Sequence, residues 1–127
     1  MSVTTTTTAR DAAIWDVQSA IRTARARETH LLERLRAVKT VEAAADLDAA
    51  NRERLSLESR ARELAPTEFP ATEARSIATL IESDAILLHL WRTACPINRR
   101  RPAVVLPQAA VAALDALERA VTASRLE

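Results

Sequence analysis

Among the side chains of types able to do chemistry on a small anion are Arg10, Arg27, Lys39, Asp48, Arg52, Glu53, Ser83 and His89. Lys39 is the single lysine, set against seventeen arginines. A guanidinium presents a planar fork that grips a carboxylate through two parallel hydrogen bonds. A lysine ammonium is a compact donor, suited to an oxygen that gains charge as a bond breaks. Asp48 and Arg52 are four residues apart, so on a helix they share a face. Lys39 stands just before a joint in the apolar pattern, from which it can reach back toward the start of the next helix. No glycine-rich phosphate loop, metal-ligand cluster or Ser/His/Asp pattern is visible, so neither a cofactor nor a metal is expected.

Helices must position these groups. The 127 residues contain no glycine, and the five prolines all lie between residues 66 and 107. Tight turns and strands usually call on glycine, while the alanine, leucine, arginine and glutamate that dominate here favour helix. The expected fold class is therefore all-α, in one domain's length of chain. A first helix begins near Ala9, with Thr8 as its N-cap, and its seam reads Ile14, Val17, Ile21, Ala24, Glu28, Leu31, Leu35 and Val38. Steps of three and four residues are the rhythm of a helix packed along its length. The seam then slips phase and resumes as Ala43, Leu47, Ala50, Arg54, Leu57, Ala61 and Leu64, which puts a joint near residues 42 to 47. Asp46 or Asp48 would cap the second helix. A third helix is expected from about Pro70 to Ala94, apolar on most sides and hence central. After an arginine-rich loop and an extended stretch at 103–107, a fourth helix is expected over about 108–125. In domain terms, residues 1–8 are a disordered start, 9–95 a helical bundle, and 96–127 a loop plus a C-terminal helix packed on that bundle. That last helix is expected against Leu87, Leu90 and Trp91, with Val111, Leu114 and Val121 buried.

Long helix, short helix, medium helix, with charged residues facing inward, resembles the all-helical chorismate mutase family over roughly residues 9 to 92. The resemblance rests on Arg10 and Arg27 on the long helix, Lys39 near its end, and Asp48 with Arg52-Glu53 on the second helix. Leu80-Ile81-Glu82-Ser83 lies midway along the third. It implies a bundle of that type with an extra C-terminal helix. It also implies pericyclic rearrangement, or pyruvate elimination, of chorismate or a close relative in a cationic pocket between helices. Such a reaction is intramolecular, so the protein holds a dicarboxylate in its compact reactive shape and stabilises charge on the breaking ether oxygen. By the resemblance, Lys39, Arg10, Arg27, Glu53 and His89 are catalytic, His89 standing where the family has a glutamine. Asp48, Arg52 and Ser83 bind the substrate. The pocket would stay net positive, as a dianion requires.

The same residues also have plainer roles. Lys39 suits a helix end, where a cation meets the negative pole of the dipole. Arg52 and Glu53 can form ordinary surface pairs, and Trp15 and Trp91 suit core anchors. Asp84 falls on the apolar seam of the third helix, so it is expected to be paired inside or to face a cavity. The alternative function is a non-catalytic helical interaction or assembly protein. A homodimer is expected because a first helix of about 50 Å outreaches a second of about 27 Å. The net charge of +1 gives no field toward nucleic acid or membrane. A lone cysteine and the absence of an apolar leader at the N-terminus point to the cytoplasm.

Overall fold

The computed structural model describes residues 8–71, 77–95 and 103–125. These residues form helices, connected without any strand. In chain order the helices are α1 (Ala9–Val38), α2 (Val41–Leu64), α3 (Ile77–Ile81), α4 (Ala85–Ala94) and α5 (Gln108–Arg125). The all-α expectation holds. None of the helices is long and apolar enough to cross a membrane.

α1 starts where Thr8 accepts a hydrogen bond from the Asp11 amide at 3.1 Å, as the sequence predicts for its cap. It ends earlier than expected. The joint lies at Lys39 and Thr40, not at 42–47. Lys39 takes a left-handed backbone, φ 52°, and its amide donates to the Leu35 carbonyl at 2.8 Å. That single bond closes the last turn in the way glycine usually does. Thr40 Oγ1 then accepts from the Ala43 amide at 3.2 Å and caps α2. A hairpin turn of two residues is thus built without glycine. Asp46 and Asp48 cap nothing, because α2 is already running when the chain reaches them.

The third segment is also corrected. Pro70 and Ala71 are not helical, and helix appears from Ile77. It then breaks at Glu82–Ser83, and Asp84 starts α4 afresh. The Asp84 carboxylate accepts from the Ile86 and Leu87 amides at 3.0 and 3.2 Å. A short acidic side chain that captures backbone amides competes with helix continuation, so the seam position of Asp84 is a cap, not a buried pair. α5 has the bounds the pattern predicts. The run Arg99–Arg101 lies outside the described residues.

The chain divides into two compact units. Residues 1–23, 57–71 and 106–127 make the first, and 24–56 with 72–105 the second. The first unit buries Val17, Ile21, Leu57, Ala61, Leu114 and Leu117. Val111, expected inside, is exposed. The second unit's core joins Leu32 and Leu35 of α1 to Ala43, Ala44 and Leu47 of α2, and to Ile77, Ile81 and Leu87. Leu90 and Trp91 of α4 pack against that cluster.

Candidate functional site

In the second unit the two arms of the hairpin run antiparallel, and ion pairs mark the register. Arg27 reaches Glu53 at 2.9 Å, Glu28 meets Arg54 at 2.6 Å, and Arg34 reaches Asp46 at 3.3 Å. From the neighbouring pairs at Arg27 and Glu28 to the pair at Arg34, position numbers rise on one arm and fall on the other, which a tight turn at residues 39–40 requires. The Glu28–Arg54 pair is buried, with Glu28 6% and Arg54 4% exposed. A charge-assisted bond of 2.6 Å between buried partners lets each charge stabilise the other where water cannot. Asp48, buried, holds half-buried Arg52 at 3.0 Å along the same helix.

Ion pairs bring together four of the eight candidates. Arg27 joins Glu53, and Asp48 joins Arg52. Lys39 is exposed at the hairpin tip, Ser83 is exposed in the turn between α3 and α4, and His89 is exposed on α4. Arg10 belongs to the first unit, half-buried, with its Nε buried and without a hydrogen-bond partner among the described residues. A cleft of about 220 Å³ opens in the second unit beside Arg25, Glu28, Thr29, Leu32, Arg54, Ile77 and Leu80. None of the eight candidates lines it. Among the described residues no cluster of three or more His, Cys, Asp or Glu could hold a metal.

Sequence reasoning missed the Glu28–Arg54 pair, although the signal was present. Both residues occupy apolar seam positions with opposite charge, one on each arm. It also put Trp15 in the core. Trp15 is 54% exposed, and the Arg22 guanidinium lies 4.9 Å from its ring centre. Ile14, Val17 and Ile21 take the inward face of α1, so position 15 turns toward solvent. Arg22 is held over the ring partly by a 3.0 Å bond from its Nη2 to Ser19 Oγ.

These features define an all-helical protein with two candidate surfaces: a charged hairpin, and an aromatic–arginine patch on α1. No protein family, no curated protein and no solved structure matches the chain.

Proposed function

We propose that this chain is a non-catalytic helical interaction module, acting by assembly with protein instead of by turnover of a substrate. The observation that carries this reading is Trp15, a large aromatic left half in water with Arg22 stacked upon it. Tryptophan and arginine dominate the energetics of protein contacts, since each buries a large rigid surface when water leaves. The charges on the hairpin support the same reading. Arg27 and Arg54 are matched by Glu53 and Glu28, and Arg52 by Asp48, so each of these cations already has an anion at hand. The reading assigns the module to the reducing cytoplasm, in keeping with a single cysteine, the buried Cys95.

Two measurements test it. Purified protein should leave the ultraviolet absorbance of chorismate and isochorismate unchanged. In an extract of the source cells the chain should elute on a sizing column above its own 13.9 kDa, and Trp15→Ala should return it to monomer size. Turnover, or a monomer in the extract, overturns the reading.

A second reading, chorismate mutase-like rearrangement or pyruvate elimination, is favoured by one observation. Arg27, Asp48, Arg52 and Glu53 form charge pairs on the hairpin that an anionic substrate would reorganise on binding. Under it Lys39→Ala lowers turnover roughly a hundredfold, the size of losing one preorganised donor. An absent wild-type rate, or a mutant with full activity, ends that reading.

A further inference from the structure

We infer that α1 pairs antiparallel with the α1 of a second copy of this chain, through an outer stripe of Ala12, Trp15, Ser19 and Arg22. The inference rests on the interaction-module reading and names the partner. The stripe repeats at steps of three, four and three, the spacing with which one helix meets another. It lies on the side of α1 away from the Ile14, Val17 and Ile21 seam. Ala12, Trp15 and Arg22 are exposed and Ser19 is half-buried. Ala12, one turn before Trp15, is small and exposed, which lets an indole from a facing helix approach the helix surface beside the ring.

Charge selects both the partner and the direction. Asp11 and Asp16, both exposed, sit along the N-terminal part of the stripe, and Arg22 closes its C-terminal part. A parallel copy would set aspartate against aspartate. An antiparallel copy sets the aspartates of each chain against Arg22 of the other, twice over by symmetry. The stripe is thus complementary to itself, and the net charge of +1 raises no long-range barrier between copies. Trp15, with Arg22 over its ring within the chain, becomes sandwiched.

The test uses sedimentation equilibrium of the purified full chain from about 1 to 500 μM, the range of a small, reversible interface. The average mass should climb from 13.9 kDa toward twice that value. Trp15→Ala should weaken association about tenfold or more. Asp16→Arg and Arg22→Asp should each weaken it, and the two together should recover it, because the exchanged charges again match across the two-fold axis. Residues six apart on a helix do not face each other, so recovery in the double variant can arise only between chains. Circular dichroism checks that each variant keeps its helix. A monomer throughout the range, a Trp15→Ala variant that associates like wild type, or a double variant no tighter than the singles overturns the inference. A purified monomer whose complex in cell extract still depends on Trp15 sinks only the inference. Monomers in both settings sink the module reading as well.

Discussion

Glu28 and Arg54 carry opposite charges into a seam otherwise made of alanine, leucine, isoleucine and valine. Their position makes the pair costly to break and easy to replace. Glu28→Gln leaves the Arg54 guanidinium buried against a neutral amide in place of its 2.6 Å carboxylate. The expected loss is about 3 kcal/mol of unfolding free energy in a urea titration. Glu28→Leu combined with Arg54→Met removes both charges and fills the space, and should cost less than Glu28→Gln alone. A single variant as stable as wild type would show that the pair is solvated. Arg27 and Glu53 give the contrast. Arg27 is 54% exposed, so water screens that bond and its removal should change stability by less than about 1 kcal/mol.

Two short devices set where the helices stop and start. Lys39 holds a left-handed backbone that a side chain disfavours by about 1 kcal/mol. Lys39→Gly should therefore raise stability by about 0.5–1 kcal/mol, less the extra entropy glycine gains when unfolded. A drop in the denaturant midpoint would mean that the lysine side chain contributes something glycine lacks. Asp84 caps α4 through two backbone amides, so Asp84→Ala should cost about 1 kcal/mol, and Asp84→Asn much less. Both sites illustrate how far local pattern is legible. Thr8 was readable as a cap because it directly precedes a long periodic run. Thr40 was not, because the aspartates at 46 and 48 offered equally good local signals, and only the hairpin's register rejects them.

Each of the two units has its own core, and a large-to-small change in each tests whether both contribute to folding. Leu47 in the second unit and Leu117 in the first are fully buried. Leu47→Ala and Leu117→Ala should each cost about 3 kcal/mol, the usual penalty of lost burial plus a residual cavity. If Leu117→Ala leaves the melting curve unmoved, α5 does not support the fold. Much about the whole molecule follows from the sequence by itself. The lack of glycine and the abundance of strong helix formers require helices. Steps of three and four mark the buried faces of α1 and α2, and the bounds of α5 follow from its own period. Those are local properties, decided within a turn or two of the chain. Three features belong to the tertiary structure alone. Glu53 is matched with Arg27, and Arg54 with Glu28, across 26 positions of chain, because a two-residue turn sets how the arms slide past each other. Trp15 is left in water because Ile14, Val17 and Ile21 already take the inward face. Lys39 becomes a turn residue because the fold needs a left-handed backbone there and the chain has no glycine to supply it. A sequence pattern states which residues seek burial or a partner. Which partner arrives, and from which side, is a property of helices packed against one another.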